Sequence, residues 1–123
     1  VKDLCLKTLP QTSTALFKRD IFEKIGGYDE NQRYAEDGNF FMKIAANYNY
    51  YYDPRQVVVY GDGKEGFGES GLSANIKEMH RGLVKNFIEM HQLGYISKIY
   101  LILAILIEEI KYARRRTIIW GKK

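Results

Sequence analysis

Apolar residues recur along the C-terminal half at the spacing of a helix. Ile76, Met79, Leu83, Val84, Phe87, Ile88 and His91 form one stripe and predict an amphipathic helix over residues 74–92. Gly94 breaks that pattern, and a last helix is predicted over residues 96–116. Nearer the start, Ile21, Phe22 and Ile25 mark a short helix. Asp20 and Glu23 give it capping-box spacing, and Gly26-Gly27 ends it. Residues 28–35 read as a polar loop. Phe40, Phe41, Ile44 and Ala45 then predict a helix over residues 38–47. Residues 12–17 read as extended. The tyrosine- and valine-rich stretches 50–53 and 56–60, separated at Pro54, predict two short strands lying side by side. The expected class is α+β: a little sheet and a helical C-terminal half with two long helices.

With 46% hydrophobic and 28% charged residues, the 123-residue chain has the composition of one globular domain with a modest core. Cys5 is the sole cysteine, so no internal disulfide is possible. With only His80 and His91 beside it, a zinc set is not expected. The chain opens on Val1, and no secretory leader is read there. The longest apolar run, residues 100–107, is far short of the roughly 18 residues that suggest a membrane span. The net charge of +4 is local: Arg114, Arg115, Arg116, Lys122 and Lys123 fall at the end. A basic tail of this kind suits an anionic surface; without a recognisable binding fold, nucleic acid is not the expected partner.

Glu36 and Asp37 stand where the polar loop meets a helix. Two roles fit. Asp37 is a good helix N-cap, and either acid complements the positive end of the helix dipole. A carboxylate held rigidly at a helix start, yet open to a cleft, also suits general-base chemistry. Spacing alone supports the cap.

The neighbouring residues add a resemblance. The run Phe17-Lys18-Arg19-Asp20-Ile21-Phe22-Glu23-Lys24-Ile25-Gly26-Gly27-Tyr28-Asp29-Glu30 is followed by Glu36-Asp37 and then by Phe40-Phe41-Met42-Lys43-Ile44. This ordered set, with the valine-rich stretch and Gly71-Leu72-Ser73, resembles the acceptor-side part of family 2 glycosyltransferases of the GT-A fold. The likeness covers residues 10–80. It implies Asp37 as catalytic base with Glu36 as companion, and Arg19, Lys64 and Ser73 as substrate-binding residues. It also implies a nucleotide-diphosphate sugar donor, a glycan or lipid-linked acceptor of cell-surface polysaccharide synthesis, and a divalent metal (Mg or Mn) in the complete enzyme. The family holds that metal with an Asp-X-Asp motif in a nucleotide-binding half. No Asp-X-Asp occurs here, so the donor half is expected to lie outside the chain and the isolated chain to be inactive. Residues 1–73 then belong to the catalytic core and residues 74–123 to a helical extension. Gly38 and Lys43 depart from the family's larger residue and arginine, and the absence of Gln-X-X-Arg-Trp points to single-sugar transfer.

Two further segments keep open alternatives. Gly61-Asp62-Gly63-Lys64-Glu65-Gly66 matches G-x-G-x-x-G, but no helix opens within the glycines, so the dinucleotide reading is rejected. A plain connector and an active-site lid bringing Lys64 to the diphosphate both remain. Residues 100–107 are apolar all round, which suits burial against the preceding helix and a second subunit, or an interfacial helix whose arginines and Trp120 meet lipid headgroups. The implied location is cytoplasmic, peripheral on the inner face of the cytoplasmic membrane, with homo-oligomers through exposed apolar helices as a further expectation.

Overall fold

A computed structural model describes residues 1–7, 10–59 and 71–122. It contains five α-helices among these residues: α1 (Lys2–Leu6), α2 (Arg19–Ile25), α3 (Glu36–Asn47), α4 (Ile76–Gln92) and α5 (Lys98–Gly121). Short 3-10 turns cover Thr12–Thr14 and Leu72–Ala74.

The expected α+β class is wrong. No strand forms among the described residues, and the fold there is all helical. Residues 50–59 have the side chains of a strand but no ladder to join, and unpaired backbone gains nothing from β-propensity. Their midpoint is folded back locally: Asp53 Oδ1 accepts from the Arg55 amide at 3.1 Å, and the Arg55 guanidinium grips the same carboxylate. Tyr51, Val57 and Val59 remain exposed, so burial does not favour pairing either. Residues 12–14, expected extended, turn instead, and Ala15 resumes extended dihedrals.

The core lies where α3, α4 and α5 meet. Phe40, Met42 and Met90 are fully buried, with Phe87, Ile96 and Ala104 around them. Burying such side chains contributes roughly 1.5–3 kcal/mol each. Phe22 of α2 and Tyr28 close over Phe40, with ring centroids 5.4 and 4.9 Å away. That is why α2 stops where it does: Gly26 takes the left-handed conformation (φ 94°) and sends the chain back across α3.

Helices α4 and α5 form an antiparallel hairpin, since His80 meets Glu109 (3.0 Å) while His91 Nδ1 donates to the carbonyl of Ile96 (3.0 Å). Glu108 is buried in the seam. Arg115 donates to it, and His80 Nδ1 lies 3.5 Å from it. Helix α1 rests on α5. Lys111 Nζ donates to the carbonyls of Leu6 (3.0 Å) and Lys7 (3.1 Å), satisfying groups that the end of α1 leaves bare.

Candidate functional site around the Glu36–Asp37 pair

The start of α3 differs from the sequence expectation. Asp37 is not the N-cap. Ala35 holds that position in the left-handed conformation (φ 57°, ψ 26°), and Glu36 and Asp37 lie inside the first turn. A non-glycine residue there costs about 1–2 kcal/mol, so something must hold it.

What holds it is a set of buried amides. Asn86 of α4 donates to the Ala35 carbonyl (2.8 Å), and Gln32 donates to the Tyr34 carbonyl (2.9 Å). Asn86 Oδ1 in turn accepts from Gln32 (2.8 Å) and Asn39 (3.2 Å). Asn39 also donates to Glu89 (2.6 Å), whose other oxygen pairs with Lys43 Nζ at 2.7 Å. Gly82 lets α4 come this close. A Cβ at that position would stand 2.4 Å from the Tyr34 carbonyl oxygen.

On this base the Asp37 carboxylate is held at both oxygens. The Gly38 amide donates to Oδ1 (2.7 Å), and the Thr12 hydroxyl donates to Oδ2 (3.0 Å). Glu36 and Asp37 are both half-buried. Tyr28 is the nearby aromatic: burial raises its phenol pKa, and the charges of Asp37 and Glu36 raise it further. Each carboxylate oxygen has two lone pairs, so Asp37 retains acceptor capacity toward a hydroxyl arriving from solvent.

The other residues singled out in the sequence do not join this cluster. Arg19 is exposed and pairs with Glu23 on its own helix at 3.4 Å. The expected Asp20 cap is absent, because Lys18 is the N-cap and Asp20 pairs with Lys24 instead. Ser73 lies in the turn that leads into α4. Lys64 and the glycine-rich segment 61–70 lie outside the described residues. Thr12 was missed, and no local signal marks a residue 25 positions from its partner. Tyr28 stood in the quoted turn, but only the fold brings it to the acids. A shallow groove lined by Asp29, His80, Lys85 and Glu89 runs along α4 and does not include Asp37.

Glu89 makes the network pH-sensitive. Burial pushes its pKa up, but the hydrogen bonds from Lys43 and Asn39 and the charges of Lys43 and Lys85 outweigh this and hold it below the usual glutamate value. A depressed folded pKa contributes stability above the unfolded value, about 4.3, and that stability is lost as pH falls through the folded value. Asp29, lowered chiefly by the Asn31 amide, acts in the same sense. Urea unfolding at stepped pH should therefore show Glu89→Gln with a shallower acid loss than the unaltered chain. Parallel curves would remove Glu89 from the account.

Among the described residues no group of three or more histidine, cysteine or acidic side chains is placed to hold a metal ion. No helix among them is long and apolar enough to cross a membrane. No protein-family model, curated protein or solved structure matches this chain.

Proposed function

We propose that this chain is the acceptor-side, base-carrying part of an inverting glycosyltransferase that uses a nucleotide-diphosphate sugar. The observation that carries the reading is the Asp37 carboxylate, pinned at both oxygens by Thr12 and Gly38 above a left-handed Ala35 and a buried amide network. Such fixing is what a general base requires. The acceptor is a glycan or lipid-linked hydroxyl of cell-surface polysaccharide synthesis. Asp37 takes the proton of that hydroxyl as its oxygen attacks the anomeric carbon. The bond from that carbon to the phosphate oxygen breaks, and the nucleoside diphosphate leaves with the electron pair, inverting the anomeric centre. Glu36, its neighbour in the first turn of α3, adds negative charge beside the base.

The donor half and its metal belong to the complete enzyme in this reading. Residues 50–59 support that division, since Tyr51, Tyr52, Val57 and Val59 are 68–89% exposed and offer apolar surface that another part of the complete enzyme would cover. Among the described residues no third histidine, cysteine or acidic side chain joins Glu36 and Asp37 in a group that could hold a metal ion. Proton NMR of the first-formed product tests the reaction class. Transfer by the complete enzyme should yield the anomer opposite to the donor's; retention, or no turnover with nucleotide-diphosphate sugars, overturns the proposal.

A further inference from the structure

Helix α5 is two-faced in a way unrelated to the acid pair. Ala104 and Glu108 face the core. On the opposite side Ile99 (79% exposed), Ile102 (51%), Leu103 (41%), Leu106 (56%), Ile110 (70%) and Trp120 (70%) stand in solvent. At 3.6 residues per turn these six fall within an arc of about 100°. Exposed Arg114 and Arg116 flank the arc on its two sides, and exposed Lys98 stands on the Arg116 side. Arg116 also lies over the Trp120 ring, 5.6 Å from its centroid.

We propose that this face of α5 is a peripheral docking surface for an anionic lipid bilayer, with the helix axis in the membrane plane. Three observations select that occupant. The apolar stripe is rimmed by arginines whose stems can run along it while their heads reach phosphates, and a tryptophan closes the end. The rim sets Lys98, Arg114 and Arg116 against one exposed acid, Glu109, so its net charge is positive. A second copy is a poor occupant. Two such faces laid together set six basic residues of the rims against only two exposed glutamates, so like charge dominates the seam. The helix lies on the surface; it does not cross.

The docking claim does not rest on the glycosyltransferase reading, and its test needs no turnover. The full chain is mixed with phosphatidylglycerol-rich vesicles and separately with neutral phosphatidylcholine vesicles, then floated. Trp120, the sole tryptophan, reports insertion through quenching by brominated lipid. Binding is expected to the anionic vesicles alone, to weaken with salt, and to fall roughly fivefold for each of Arg114→Gln and Arg116→Gln, from the contribution of a basic residue near an anionic surface. The double variant Ile102→Asp, Leu106→Asp should abolish both flotation and quenching while circular dichroism keeps the helical signal. Absence of flotation, equal binding to neutral vesicles, or binding retained by the stripe variant overturns the proposal. So does a dimer in sedimentation equilibrium that the stripe variant dissociates while the unaltered chain ignores vesicles.

Discussion

Asp37→Asn in the complete enzyme should lower kcat/KM for sugar transfer by about 10²- to 10⁴-fold, the usual range for loss of a positioned base, and leave the fold intact. The geometry separates these two outcomes. Asparagine keeps an oxygen for the Gly38 amide, and its NH₂ can donate to the Thr12 hydroxyl, which rotates from donor to acceptor. Removing one negative charge from the first turn of α3 costs a few tenths of a kcal/mol to about 1 kcal/mol through the helix dipole. Because Ala35, not Asp37, is the N-cap, the substitution leaves the cap untouched. A drop in transfer accompanied by a stability loss in urea of no more than about 1 kcal/mol therefore isolates the chemistry. Transfer near the unaltered rate would reduce Asp37 to a residue of the first turn.

Asn86→Ala should destabilise the chain by about 2.5 kcal/mol. Asn86 makes three bonds in the buried network, with Ala35, Gln32 and Asn39, and each neutral bond is worth about 1 kcal/mol net. Helix propensity works the other way, favouring alanine inside α4 by roughly 0.5 kcal/mol. The network wins because Asn86 is fully buried, so water does not replace what is removed. The loss of the bond to Ala35 also releases the one non-glycine residue with positive φ among those described. Asp37 then loses its fixed position, and in the complete enzyme activity falls alongside stability, unlike the Asp37→Asn case. Urea denaturation measures the first effect; a loss below about 1 kcal/mol would mean that the left-handed turn stands without Asn86.

The helices were legible where one side of each had to be apolar. The stripes around Phe40 and Phe87 predict α3 and α4 to within two residues at either end, and the Gly26 stop of α2 follows from glycine's tolerance of positive φ. Helix α5 runs on to Gly121, past the expected end at residue 116, because nothing in Thr117-Ile118-Ile119-Trp120 breaks it. The strands failed for the converse reason. Valine and tyrosine favour a strand only when a ladder partner is at hand, and residues 50–59 find none. The start of α3 was illegible for a different one. Asp37 looks like a cap in any local window, and what moves the cap to Ala35 is Asn86 and Gly82, about fifty residues later. The candidate site was thus half readable: its acids stand in the sequence, while Thr12, Tyr28 and the amides that hold the turn come from the fold.

The clasp of Lys111 on the carbonyls of Leu6 and Lys7 sets an order on folding. It joins positions 104 and 105 apart, so closing that loop costs about 2 kcal/mol more entropy than closing one of a dozen residues. The α4–α5 hairpin, with partners 5 and 28 residues apart, can form first and offer α1 a finished surface. During synthesis the first helix must wait until residue 111 has left the ribosome. Until then its last carbonyls are served by water, and α1, made before the hairpin it rests on, settles after it.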